Sequence, residues 1–182
     1  MVAREKPLTM EDFKEFVARS ENADRLFEFI NGEIIEVSPG RTRYSEYHDI
    51  IISAVRPFCK EHNIPCHTCT ADGAFSISGN TLAPDFAYKR TPMSDEYPDP
   101  EPPLWVVEIV SPTDKAPDIR AKRQIYRNAG ILLWEMYPEE RSIDVYPPGK
   151  PMRTPGINET LDGGDVLPGF TLPVRDIFEQ ST

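Results

Sequence analysis

Pro84-Asp85, then Leu104-Trp105-Val106-Val107-Glu108-Ile109-Val110, then Asp118-Ile119-Arg120-Ala121-Lys122-Arg123-Gln124-Ile125-Tyr126 make up the stretch on which the reading of this chain turns. The middle segment is apolar except for Glu108, the pattern of a strand covered on both faces. Ser111-Pro112 ends it. Alternation sets Glu108 on the face of Leu104, Val106 and Val110. A carboxylate buried there without a partner takes up a proton, unless a cation holds it ionised. A divalent cation is the strongest such partner.

Asp85 follows a proline and opens Phe86-Ala87-Tyr88. If that strand lies beside the one carrying Glu108, two hard oxygen donors converge, which suits Mg²⁺ or Mn²⁺. The segment from Asp118 to Ala129 reads as a helix. At about 100° per residue, Lys122 falls in the apolar arc of Ile119, Ile125, Tyr126 and Ala129. Arg120, Arg123 and Arg127 fall on another arc, a face for solvent or phosphate. Lysine is seldom buried unpaired. Either the Lys122 stem runs along the core edge with its head in water, or its ammonium faces Asp85 and Glu108. The second arrangement has the parts for phosphodiester hydrolysis. A cation on the two acids would activate water, and the ammonium would stabilise charge developing on phosphate.

Working outward, Thr9-Met10-Glu11-Asp12 resembles a capping box, with Phe13, Phe16 and Val17 at helical spacing behind it. Asn31-Gly32 between two β-rich runs predicts a tight hairpin over Arg25–Val37, ended by Ser38-Pro39-Gly40. Such a turn pairs Ile30 with Glu33 and Glu28 with Ile35. Glu28 and Glu33 then share one face, either exposed or available to a site as auxiliary acids. Arg41 and Arg43 lie in the next loop, and Tyr44–Glu61 reads as the longest helix. His48 sits at the edge of its apolar stripe, as a packing residue or an auxiliary site residue. Cys59, His62, Cys66, His67 and Cys69 cluster in sequence, but match no paired zinc-ligand spacing.

Gly73–Ser78 reads as a strand, Gly79-Asn80 as a turn and Thr81–Tyr88 as one further strand. The proline-rich segment Lys89–Pro103 reads as a loop at the mouth of a site. Ile131–Tyr137 and Ser142–Tyr146 read as strands across a Pro138-Glu139-Glu140 turn, Gly163–Phe170 as turns, and Val174–Phe178 as a last short helix.

The 182 residues suit one domain, 1–182. No apolar run is long enough for a bilayer, and the N-terminal residues have no apolar signal core. The expectation is a soluble, cytoplasmic protein. Three cysteines do not make a disulfide framework. A net charge of −10 argues against a protein that coats nucleic acid, though not against an enzyme whose acids hold a cation.

Pro84-Asp85 followed by Glu108 in an apolar strand resembles the PD-(D/E)XK nuclease superfamily. More narrowly, the chain resembles the bacterial putative restriction endonuclease family first catalogued as a domain of unknown function. The matching pieces are Phe27–Glu33, Pro84-Asp85, Val107–Asp114, Lys122 with Tyr126 and Gly130, and Gly164–Phe170. Where the superfamily has lysine two residues after the acid, this chain has Val110. The narrower family takes its lysine from the next helix, which fits Lys122. The resemblance implies an α/β, restriction-endonuclease-like fold. Its mixed sheet has about five strands flanked by helices, with an N-terminal β-hairpin and a C-terminal hairpin, and the acids lie at one sheet edge. It also implies Mg²⁺-dependent DNA cleavage by Asp85, Glu108 and Lys122. Arg41, Arg43, Arg120, Arg123 and Arg127 could then meet phosphates. A homodimer is one arrangement open to such a protein. The alternatives are a catalytically silent nuclease-fold module that binds nucleic acid or a protein partner, and a structural or regulatory acidic protein.

Overall fold

The computed structural model describes residues 7–37 and 40–179. Ser38 and Pro39 of the expected hairpin exit lie outside them, as do residues 1–6 and 180–182. Helix α1 spans Met10–Val17 behind the expected capping box, in which Thr9 Oγ1 accepts from Asp12 N–H and Asp12 returns a bond to Thr9 N–H. Strands β1 (Phe27–Ile30) and β2 (Glu33–Glu36) form the hairpin, with Glu28 opposite Ile35 and Ile30 opposite Glu33. Asn31 and Gly32 both have positive φ, +52° and +88°, as a twisted two-residue turn requires. A Cβ at Gly32 would also lie 2.8 Å from Pro7 Cβ.

Helix α2 runs Thr42–Glu61 and buries Tyr44, Tyr47, Ile51, Val55 and Cys59. Strands β3 (His67–Thr70), β4 (Phe75–Ile77), β5 (Asn80–Leu82) and β6 (Phe86–Lys89) follow. The expected single strand Thr81–Tyr88 is thus two strands, in two sheets. Ala83-Pro84-Asp85 separates them, because Pro84 has no N–H for a ladder and steers the chain from one sheet to the next. Strand β3 over His67–Thr70 has no counterpart in the sequence reading. Its two threonines lie beside a histidine and a cysteine, with no apolar alternation to mark it.

Strand β7 (Trp105–Ile109), helix α3 (Ala116–Asn128), and strands β8 (Leu132–Tyr137) and β9 (Ser142–Tyr146) complete the main sheet. Its order is β3-β6-β7-β8-β9, with β7 and β8 parallel and the other pairs antiparallel. The fold is therefore α/β with a mixed five-stranded sheet. A second sheet runs β2-β1-β5-β4. Strands β10 (Thr160–Gly163) and β11 (Leu167–Pro173) pair antiparallel before helix α4 (Val174–Phe178). That pair occupies a stretch which the glycines and prolines had marked only as turns. Gly163 is a bulge position where a Cβ would meet Leu167 at under 3 Å.

The main sheet is covered on both faces. Trp105, Val107 and Ile109 pack with Phe86, Trp134 and the α2 stripe. Val106 packs on the other face with Ala87, Leu133 and the α3 residues Ile125 and Tyr126. Among the described residues, no helix is long and apolar enough to cross a membrane.

The loop after β6 starts away from Asp85 and Glu108, and reaches the hairpin beside Glu28 through Tyr97, whose hydroxyl donates to Phe27 O at 2.8 Å. Asp85 precedes β6 and Glu108 lies near the end of antiparallel β7, so the loop leaves from the opposite end of the sheet. It is pinned there. Asp99 pairs through its backbone with Ala74 and Ser76, and its buried carboxylate takes Lys89 Nζ at 2.7 Å and the N–H groups of Ser94 and Glu101. Burial opposes ionisation of Asp99, but Lys89 and these N–H donors outweigh it and hold its pKa below the ordinary 3.8. A carboxylate with a lowered folded pKa stabilises the fold above its unfolded value and loses that contribution as pH falls through the folded value. Removing one member of a buried pair costs about 3 kcal/mol. Asp99→Asn is therefore expected to lower the thermal midpoint clearly at pH 7, and the gap from wild type should close below about pH 4. Thermal melts across that pH range check both.

Candidate active site

Six of the residues singled out by the sequence meet at one end of the main sheet: Glu28, His48, Asp85, Glu108, Lys122 and Tyr126. The β6–β7 register pairs Phe86 with Val107, and continuing it one step sets Asp85 opposite Glu108. Ile109 N–H donates to Asp85 Oδ2 at 2.6 Å and fixes that carboxylate against the end of β7. Asp85 and Glu108 therefore stand at the ends of two interior strands, rather than at a sheet edge as the resemblance implied.

Lys122 joins the parts. Its Nζ lies 2.8 Å from Glu108 Oε2 and 2.9 Å from Glu28 Oε1. Glu28 comes from β1 in the second sheet and also accepts Ala83 N–H at 2.9 Å. Tyr126, one helical turn beyond Lys122, donates its hydroxyl to Glu108 Oε1 at 2.6 Å. The ammonium on the helix thus ties the hairpin to the central strand, as the helical wheel anticipated. His48, on α2, places Nε2 3.9 Å from Asp85 Oδ1.

The charges explain the electrostatics. Burial, reinforced by the negative charges of Asp85 and Glu28, pushes Glu108 up to about 8 against the pull of Lys122. Burial also raises Asp85, against the Ile109 N–H and Lys122. For Lys122 burial works against the ammonium, but Glu108 and Glu28 overcome it and raise its pKa. Tyr126 is held well above its ordinary value by burial and the adjacent Glu108, so it stays a donor.

Three carboxylates around one ammonium leave the cluster short of positive charge. That deficit and the oxygen-rich donor set fit a hard divalent cation. Asp85 and Glu108 would hold it. Among the described residues, no three His, Cys, Asp or Glu side chains already converge as a metal site. Lys122 and Tyr126 take both oxygens of Glu108. Asp85 Oδ1, by contrast, accepts no hydrogen bond from the described residues.

The other predicted residues lie elsewhere. Glu33 is exposed, because it sits beside the turn on the edge strand β2. Arg41 and Arg43 are exposed, and Arg41 lies 3.6 Å from Glu139. Arg120 and Arg127 are exposed on α3, with Arg127 over the Tyr146 ring. Arg123 does not share their open face. It grips buried Glu135 with two nitrogens at 2.6–3.0 Å and leans over Tyr146. The hydrogen bonds to Glu135 raise its pKa, and the guanidinium is committed to structure. Glu135 pairs with Glu108 across the parallel β7–β8 ladder, so adjacent helical residues answer adjacent strands. The backbone donors of Ile109 and Ala83 carry no side-chain signal in the sequence.

Replacing Lys122 by Met would leave Glu28 and Glu108 buried without their cation, a loss of about 3–5 kcal/mol when one partner of a buried pair is removed. Lys122→Met should therefore melt well below wild type in a chelator. Millimolar Mn²⁺ should restore part of that loss, since a second cation can replace the ammonium's charge. Melts with and without Mn²⁺ check this.

A family model described as "Uma2: Putative restriction endonuclease" matches residues 10–175. None of the curated proteins compared with the chain matches it. Among solved structures, the crystal structure of a putative nuclease belonging to DUF820 from Anabaena variabilis is similar at a TM-score of 0.79 and 18% identity, over 94% of this chain and 98% of that one. At that identity the likeness shows a shared fold. The family match takes in every strand and the whole of the carboxylate–lysine cluster, and on it the chain belongs to the Uma2 family of putative restriction endonucleases.

Proposed function

We propose that the protein is a divalent-metal-dependent endonuclease that hydrolyses DNA phosphodiester bonds in the cytoplasm. The observation that carries this reading is Lys122. It reaches from α3 to the end of β7 and supplies the amine that the strand, with Val110 in the usual lysine place, lacks. Asp85 and Glu108 would hold Mg²⁺ or Mn²⁺, which when bound lowers the pKa of water and neutralises phosphate charge.

The chain's own groups do the rest. Ile109 N–H and Tyr126 hydroxyl orient the two carboxylates, so their lone pairs are set before substrate arrives. Lys122 aims a fixed positive charge at the scissile phosphate, where negative charge grows in the transition state. Glu28 positions that ammonium and keeps it protonated. Arg120 and Arg127, with Arg41 and Arg43, offer exposed charge to the DNA backbone in a chain whose net charge of −10 would otherwise repel it.

Supercoiled plasmid with Mg²⁺ or Mn²⁺ tests this. Wild type should nick or linearise it, EDTA should stop cleavage, and Glu108→Gln should lower the rate by roughly 10²-fold or more, the scale of losing one preorganised charged group. If wild type and Glu108→Gln are equally inert while still binding DNA, the module is catalytically silent and the enzyme reading is wrong.

A further inference from the structure

The surroundings of His48 on α2 are unusual. Among the described residues, Nε2 is shut off from solvent and has no hydrogen-bond partner. A buried nitrogen left in this state is costly, by about 1–3 kcal/mol, and such exceptions ask for an explanation. Its place supplies one. Nε2 faces Asp85 Oδ1 at 3.9 Å, too far for a hydrogen bond. Two ligand bonds of roughly 2.1 Å each span up to about 4.2 Å, so the pair can share one ion. Among the described residues, these two atoms are also the ones left without a hydrogen bond. Asp85 gives its other oxygen to Ile109 N–H, and Glu108 gives both of its oxygens to Lys122 and Tyr126.

We propose that His48 Nε2 is a direct ligand of the divalent cation held by Asp85, which makes the centre a mixed nitrogen–oxygen site. The inference rests on the reading of Asp85 and Glu108 as cation ligands and goes beyond it. It joins a third element, α2, to the centre and sets its ion preference. Mg²⁺ favours an all-oxygen shell, whereas an imidazole donor suits transition ions, so the nitrogen moves the preference of the centre away from Mg²⁺. Because α2 packs its apolar stripe on the same sheet, His48 is carried on a rigid support.

Pulsed electron paramagnetic resonance of the Mn²⁺-loaded protein reads this without reference to cleavage. Wild type should show nitrogen coupling from a directly bound imidazole. The chain has three histidines. The coupling should vanish in His48→Gln and persist in His62→Gln and His67→Gln. By calorimetry, His48→Gln should weaken Mn²⁺ by about tenfold or more and Mg²⁺ by less than about threefold, as expected for loss of a nitrogen donor. Should His48→Gln fail to fold, ¹⁵N-histidine labelling of the wild type must still change the coupling pattern. Mn²⁺ that binds in an Asp85-dependent way without nitrogen coupling overturns the role of His48 alone. Mn²⁺ that does not bind, or binds equally to Asp85→Asn, overturns the underlying cation site as well.

Discussion

One ammonium group holds this architecture together at its most charged point. Lys122 lies between Glu28 and Glu108, at 2.9 and 2.8 Å, and so connects α3, the hairpin strand β1 and the interior strand β7. Each of those carboxylates is mostly buried, where a charged group without a partner is costly. The second sheet and the main sheet touch the same cation, so the geometry of the cluster depends on both being folded. The neighbouring Arg123–Glu135 pair fastens the same helix to the next strand. Together they fix the height and rotation of α3, and hence where the lysine points.

That arrangement remains under electrostatic tension. Burial, reinforced by the negative charges of Asp85 and Glu28, lifts Glu108 to about 8 although the Lys122 ammonium touches it, and burial raises Asp85 too. A cluster built mainly for stability would do better with matched charges or with apolar side chains, since buried ion pairs seldom outperform a packed core. Surplus negative charge in a rigid, partly dry setting is what a cation-dependent site requires, and perturbed acids gather at such sites.

Much of this was legible in the sequence, and for identifiable reasons. Asn31-Gly32 specified a hairpin and its register, because only a few residue types accept two consecutive positive φ angles. Lys122 was visible as a charge in an apolar helical arc, and Glu108 as a charge in an apolar strand. What stayed hidden depends on partners distant in the chain. The wheel put Arg123 on the open arc, because nothing in the helix reveals Glu135 on the following strand. Glu28 and Glu33 look alike in the hairpin, and only the lysine and the Ala83 N–H distinguish them in space. Thr81–Tyr88 reads as one strand, and the switch between sheets at Pro84 is a tertiary event. The loop after β6 reads as polar and proline-rich, while the buried Lys89–Asp99 pair that ties it down becomes apparent only when its ends meet.

The most direct measurement is a crystal structure grown with saturating Mn²⁺ and recorded at a wavelength where the ion scatters anomalously. The account predicts an anomalous peak within bonding distance of the Asp85 and Glu108 carboxylates, with the Lys122 amine beside it. No peak there, with Lys122 still bridging Glu28 and Glu108, would show that the ammonium is the cluster's only cation and would contradict the central claim.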